Sequence, residues 1–82
     1  MGSRNREADD LIAEIIGVGQ ALLDGQTLDT VADLIAEQLE GCGVQTEDVC
    51  AAGSDPVRLR SAIGRAIGRS DIVVLVGGLG MT

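Results

Sequence analysis

A cluster of glycines near the end of the chain is the segment best suited to chemistry. Gly77, Gly78 and Gly80 directly follow an apolar run, and Thr82 adds a hydroxyl group. Glycine permits positive φ, and without a Cβ it lets a phosphate group approach the backbone N–H groups closely. The segment is neither a P-loop, which needs a lysine, nor a dinucleotide fingerprint. It predicts a loop that binds a phosphate-bearing ligand, and a tight turn without a ligand is the alternative.

The hydrophobic pattern predicts the elements that would position this loop. Apolar runs without alternation, typical of strands buried on both faces, occupy Leu11–Val18 and Ile72–Val76, and a further strand lies within Val44–Ala52. Helical periodicity predicts helices over Thr30–Cys42 and residues 56–69, which leaves a loop before the first helix. The β-α-β-α-β order predicts an α/β fold of three layers. Right-handed crossovers with strand order 2-1-3 would place the helices on opposite faces of a parallel sheet.

Each predicted helix carries an apolar stripe and has residues suited to its ends. The stripe positions are Val31, Leu34, Ile35, Leu39 and Cys42 in the first helix, and Leu59, Ala62, Ile63, Ala66 and Ile67 in the second. Asp29 or Thr30 is expected to cap the first helix, and Asp55 followed by Pro56 should begin the second. Glu14 interrupts the first apolar run and is expected at a solvated or site-facing edge of its strand.

Composition and charge restrict the classes of partner. The chain has 82 residues and a net charge of −7, with no lysine and no histidine. An acidic surface argues against duplex nucleic acid or an anionic membrane as partner, but a small phosphate-bearing ligand is still possible at backbone N–H groups. Arg58, Arg65 and Arg69 are expected to form a solvated helix face, with an anionic partner as the alternative.

The ends of the chain and its cysteines bear on domain organisation and location. Residues 1–10 are polar and predict a disordered arm, so the domain should occupy residues 11–82. No signal peptide is visible, and no apolar stretch approaches the roughly 20 residues that span a bilayer. Cys42 and Cys50 are then expected to be reduced. These features predict a cytoplasmic protein.

Several segments together resemble one protein family. Ala13–Gly19, Leu22–Gln26 and Asp71–Gly80 are similar to the amino-terminal domain of CinA-like (competence/damage-inducible) proteins, which belong to the wider molybdopterin-binding domain group. The resemblance runs from about Ile12 to Thr82 and covers the first half of the family domain. It implies a three-layer α/β fold with a site for a pterin or for the phosphate of a nucleotide. Contacts with the rest of the domain, or a homo-oligomer, are the expected macromolecular partners.

The resemblance also implies which residues bind the ligand. They are Gly19, Gly25 and Gln26 in the first loop, and Gly77, Gly78, Gly80 and Thr82 in the glycine-rich loop. The implied ligand is molybdopterin or a nucleotide, with a divalent metal in the full-length family domain. Family members are associated with pyrophosphate hydrolysis on ADP-ribose-type substrates. The Thr-Glu pair of the family after the first glycine is Gln20-Ala21 here, and without that acid we expect no hydrolysis by this chain.

Other interpretations of the same residues are open. The chain is either a member of this family that binds a ligand, a degenerate member that serves as an interaction module, or an unrelated small flavodoxin-like unit with a structural glycine turn. Asp24 and Asp29 are expected to be turn and cap residues, with binding of a divalent metal as the alternative.

Overall fold

The computed structural model describes residues 11–19 and 25–77, and within them the chain alternates between strands and helices. The elements are β1 (Leu11–Val18), α1 (Gly25–Gly41), β2 (Val44–Gly53), α2 (Pro56–Arg69) and β3 (Ile72–Gly77). The strands form one parallel sheet in the order β2-β1-β3. The predicted α/β class, element order and strand order are therefore confirmed. The predicted arm at residues 1–10 lies outside the described residues.

The two helices cover opposite faces of the sheet. Leu28 of α1 lies against Gly17 of β1, whereas Arg69 of α2 binds Glu14 of the same strand. Strand residues an odd number of positions apart point to opposite faces, so these contacts place one helix on each side. The buried apolar side chains lie in both interfaces: Ala13, Ile15, Ile16, Leu28, Ala32, Val44 and Ala66. This arrangement is the predicted three-layer architecture.

Helix α1 begins earlier than the sequence pattern predicts. It starts at Gly25, so Asp29 and Thr30 lie inside the helix and the prediction that either caps it is wrong. The reason is tertiary: Leu28 is only 6% exposed, and a Cβ added at Gly17 would lie 2.8 Å from its Cδ1 atom. Burial of one leucine side chain contributes about 1.5–3 kcal/mol, which outweighs the cost of about 1 kcal/mol for a glycine within the helix.

The sheet-facing sides of the helices differ from the predicted apolar stripes at single positions. In α1, Leu34 is 60% exposed, whereas Leu28 and Ala32 are buried and face the sheet. In α2, Ile67 is 63% exposed and its neighbour Ala66 is buried. The predictions for Leu34, Cys42 and Ile67 were therefore wrong. The contact of Leu28 sets the register of α1, and Ile67 lies beside the face on which Ala66 packs. Cys42 is exposed and follows the end of α1 at Gly41.

Helix α2 has the predicted beginning and end. Asp55 is the N-cap residue, and its side-chain Oδ1 accepts a hydrogen bond of 3.0 Å from the Val57 N–H group. Pro56 occupies the first turn, where its lack of an N–H group costs nothing. The helix ends at Arg69, and Ser70 closes it. No helix in the described part of the chain is long and apolar enough to cross a membrane.

Irregular pairing between β1 and β2 determines which β2 side chains face α2. Ala13 pairs with Thr46 but Glu14 pairs with Asp48, so one extra residue is inserted into β2. An insertion of this kind reverses the side-chain alternation beyond it. Asp48 and Cys50 consequently lie on the α2 face, next to Glu14 and Ile16 of β1.

Candidate functional site

The three strands end together at one edge of the sheet, which we call the carboxyl edge. Val18 at the end of β1 pairs with Gly53 of β2 on one side and with Gly77 of β3 on the other. Gly19 follows Val18 directly. Three glycines from three strands therefore converge at this edge, where ligands of open α/β sheets bind. Of the predicted binding residues, Gly19 and Gly77 are brought together by this geometry.

Two of these glycines have backbone conformations that require glycine. Gly19 has φ of 99° and Gly53 has φ of 72°, and side chains disfavour such values. The Gly19 N–H group donates a hydrogen bond of 3.1 Å to the Gly53 carbonyl oxygen. This bond ties the start of the loop after β1 to the end of β2.

Gly77 is exposed and has room for a side chain. A Cβ atom added there would lie 3.7 Å from the Val18 carbonyl oxygen and 3.9 Å from its Cβ atom, both of which are ordinary contacts. Packing among the described residues therefore does not require glycine at this position. Its absence of a side chain instead leaves backbone groups accessible, as expected for a surface that receives a ligand.

Both helices begin at the carboxyl edge, since each follows the carboxyl end of a strand. The first turns of α1 and α2 carry N–H groups without partners inside the helix, and the helix dipole makes this end partly positive. Gly25, a predicted site residue, is the first residue of α1, and Gln26 is the second. Phosphate groups bind readily at such helix ends. The Asp55 carboxylate caps the start of α2, so the start of α1 is the helix end that gives this edge positive potential.

A cavity at the end of β2 extends this edge, and the sequence analysis did not predict it. It has a volume of about 440 Å³ and is lined by Ala52, Gly53, Ser54, Asp55 and Arg58. Arg58 brings a cation to the edge, and its distance to Asp55 is 3.8 Å with both side chains largely exposed. The segment Gly53-Ser54-Asp55-Pro56 indicated this cavity, but we interpreted the segment only as the start of a helix. Because parallel strands end at a common edge, the residues that follow β2 also lie at the candidate site.

The remaining site predictions fall partly outside the structure. Gly78, Gly80 and Thr82 lie outside the described residues, and so does Asp24. Asp29 is an exposed residue within α1. Within residues 11–19 and 25–77, no group of three or more acidic, histidine or cysteine side chains is placed to hold a metal ion.

Glu14 does not take part in the site, although it was predicted at a solvated or site-facing edge. It is only 3% exposed. Its carboxylate accepts hydrogen bonds of 2.6 and 3.1 Å from the Arg69 guanidinium and one of 2.7 Å from the Ser70 hydroxyl. These hydrogen bonds lower the pKa of Glu14 against the opposing effect of burial. The ion pair lies at the end of α2, away from the carboxyl edge.

Arg69 was predicted to be part of a solvated helix face, but its side chain forms an ion pair with the buried Glu14. The guanidinium, half-exposed, binds Glu14 and lies 3.6 Å from the Asp48 carboxylate. The hydrogen bond from Arg69 to Glu14 raises the pKa of Arg69. The pair joins the last residue of α2 to the central strand, so its role is structural.

A comparison with known protein families identifies the domain. Residues 14–82 match the family model described as "Probable molybdopterin binding domain". The chain belongs to this family. The match includes β1, whose carboxyl end carries Gly19, and continues through Gly77 to the end of the chain. The resemblance stated from the sequence is therefore confirmed.

Curated relatives of this molybdopterin-binding domain carry names that agree with the resemblance. A "Putative competence-damage inducible protein" of Halothermothrix orenii is 39% identical over 88% of the chain, and one of Streptococcus pneumoniae serotype 2 is 44% identical over 85%. A "CinA-like protein" of Deinococcus deserti is 42% identical over 88%. The chain spans only 17–18% of the length of these relatives. No solved structure gives a significant match.

Proposed function

We propose that this domain binds a pterin or a nucleotide through a phosphate group at the carboxyl edge, without catalysis of its own. The observation that supports the proposal most is the convergence of Gly19, Gly53 and Gly77 at the edge where two helices begin. Phosphate oxygens are acceptors, and the first turn of α1 at this edge has N–H groups without partners inside the helix. The family description names molybdopterin, whose phosphate suits the same donors.

The residues described at the carboxyl edge suit the phosphate end of the ligand. Gly19 and Gly53 have positive φ and carry no side chains, and Arg58 adds a guanidinium that can pair with a phosphate. When bound, a molybdopterin would supply its own metal-binding dithiolene chemistry, while the described residues bind and orient the phosphate. A nucleotide phosphate would use the same groups. We therefore propose a phosphate-bearing ligand, and the titration below decides between a pterin and a nucleotide.

We expect a titration with a pterin phosphate or with ADP-ribose to shift the amide resonances of Gly19 and Gly77. A carboxylate placed at this edge should repel the phosphate, because like charges at a binding surface are strongly unfavourable. Gly77→Asp should accordingly weaken binding by about tenfold or more, since position 77 has room for the side chain. Nuclear magnetic resonance titrations give the affinity of each variant.

Gly41→Asp is the matched control for this experiment. Gly41 is the last residue of α1 and lies at the edge of the sheet opposite the carboxyl edge, so the same charge is introduced far from the proposed site. No atom lies within 4 Å of a Cβ added at Gly41, so the side chain has room. Binding by this variant should equal that of the original chain. Shifts confined to the α2 arginines, or equal losses in both variants, would contradict the proposal. Absence of any shift would favour the interaction module.

We further expect no hydrolysis of ADP-ribose by this chain in the presence of Mg²⁺ or Co²⁺. Cleavage of a pyrophosphate needs its charge neutralised, commonly by a metal held by convergent oxygen ligands, together with an oriented water molecule. The position where the family has an acid after its first glycine is Ala21. A phosphate-release assay should give the background rate, with a full-length relative as the positive control. Turnover clearly above background would show that the missing acid is not essential.

We also propose that the protein is cytoplasmic. Cys42 and Cys50 are free thiols, and free thiols are typical of a reducing compartment. Fractionation of the producing cells with an antibody against the chain tests this, and recovery from an extracytoplasmic fraction would contradict it.

A further inference from the structure

Helix α2 holds most of the positive charge of an acidic protein. Lysine and arginine together number 6 in a chain of net charge −7, and four of them are α2 residues: Arg58, Arg60, Arg65 and Arg69. Arg69 forms an ion pair with Glu14. Arg58 and Arg65 are separated by two helical turns and lie on the same side of α2, toward β2.

These two arginines line one cavity between α2 and the edge strand β2. The cavity has a volume of about 310 Å³, and its other lining residues are Cys50, Ala51, Ala52, Ser61 and Ala62. Ser61 lies between the two arginines along the helix. Two arginines and a serine therefore line a single space on the flank of the sheet, and the glycines of the carboxyl edge are not among its lining residues.

The arginine and serine side chains of this cavity have hydrogen-bond donors that are available to a ligand. Arg65 Nη1 donates a hydrogen bond of 3.0 Å to the Ser61 hydroxyl oxygen, which orients both side chains and leaves the hydroxyl hydrogen for another acceptor. Arg58 is 3.8 Å from Asp55, a distance that forms an ion pair but no good hydrogen bond. A guanidinium has five N–H donors, so both arginines can bind an oxyanion without breaking these contacts.

Cys50 lines the β2 side of the cavity and does not repel an anion. Burial, with the Asp48 and Glu14 carboxylates as further causes, raises the pKa of the Cys50 thiol. The side chain is therefore a neutral thiol at neutral pH. The Glu14 carboxylate is itself paired with Arg69. The charged residues that line the cavity are the two arginines, and the Asp55 carboxylate lies 3.8 Å from Arg58.

We propose that this cavity is a second anion site, which binds a phosphate dianion between Arg58, Ser61 and Arg65. Guanidinium groups bind tetrahedral oxyanions in a bidentate manner, and the Ser61 hydroxyl supplies a further donor. The volume of about 310 Å³ exceeds that of the dianion, so a small ester group can accompany it. The site shares Arg58 with the cavity at the carboxyl edge, whereas Ser61 and Arg65 line this cavity alone.

Titration with inorganic phosphate at constant ionic strength tests the proposal. We expect saturable shifts of the Cys50, Ser61 and Arg65 amides that chloride does not produce. Arg65→Gln should weaken phosphate binding by about tenfold, because it removes charge-assisted hydrogen bonds. Arg58→Gln should have a similar effect. Circular dichroism of each variant reports whether the fold is retained.

Arg60→Gln is the matched control, since it removes the same charge from the same helix. Arg60 lies on the other side of α2, against an apolar groove formed with Leu59 and Ile63. This variant should bind phosphate as the original chain does. An equal loss in all three variants would mean unspecific attraction and would overturn the proposal. So would shifts limited to Gly19 and Gly77, a result that would still agree with the proposed function.

Discussion

Glu14→Gln should lower the free energy of unfolding at pH 7 by about 1–2 kcal/mol, because it replaces charge-assisted hydrogen bonds with neutral ones. The Glu14 carboxylate accepts from both Arg69 and Ser70 and is almost fully buried. Arg69→Gln should cause a larger loss, since it leaves a buried carboxylate without its cation. Urea denaturation of the variants measures both changes.

The effect of Glu14→Gln should depend on pH in a definite direction. The pKa of Glu14 in the folded chain is lowered from its ordinary value of 4.5. A group of this kind stabilises the fold fully above its ordinary pKa and loses that contribution as the pH falls through the lowered pKa. The two proteins should therefore differ at pH 7 and converge well below pH 4.5.

Glu37→Gln provides the control for this pair of experiments. Glu37 is an exposed residue of α1, and surface substitutions usually change stability by less than about 0.5 kcal/mol. A loss of the same size at Glu37 would point to a general effect of net charge. A constant difference between Glu14→Gln and the original chain from neutral to acid pH would contradict the role of the ion pair.

We expect this chain to associate with a second copy of itself through the outer edge of β3. In the described sheet β3 pairs only with β1, so its other edge presents unpaired N–H and carbonyl groups. Leu75 on β3 is 51% exposed and Ile67 on the neighbouring helix is 63% exposed. Backbone groups and apolar side chains together form a surface that a second β3 can cover. Sedimentation at micromolar concentration should show dimers or larger species.

A lysine at this edge should prevent the association. Edge lysines hinder strand pairing between molecules, so Leu75→Lys should shift the sedimentation coefficient to that of a monomer. Val57→Lys is the matched control: Val57 is 75% exposed, but it lies in the first turn of α2. It should leave the association intact. A monodisperse monomer for the original chain would contradict this expectation.

The strands were predictable because each is encoded locally. Leu11–Val18 is apolar except for Glu14 and is the central strand, and Ile72–Val76 falls within β3. The start of α2 was also predictable, since Asp55 and Pro56 act on the nearest turn only. In each case, the information lies within a few residues of the feature that it determines.

The errors came from contacts between residues far apart in the sequence. Nothing near Glu14 indicates that Arg69 and Ser70 will surround it, and nothing near Gly25 shows that Leu28 will pack on Gly17. The Arg58 cavity was missed for the same reason, because it depends on where β2 ends relative to its neighbours. Four of the seven predicted binding residues, by contrast, follow from topology once the strand order is known: Gly19, Gly25, Gln26 and Gly77.

The central position of β1 has a consequence for synthesis on the ribosome. Leu11 pairs with Val44 and Ala13 pairs with Ile72, so β1 is synthesised before either of the strands that it pairs with. Until then, apolar residues such as Ile15 and Ile16, which are fully buried in the finished fold, remain available to molecular chaperones or to other nascent chains. The yield of this protein in a cell therefore depends on how quickly translation reaches β3.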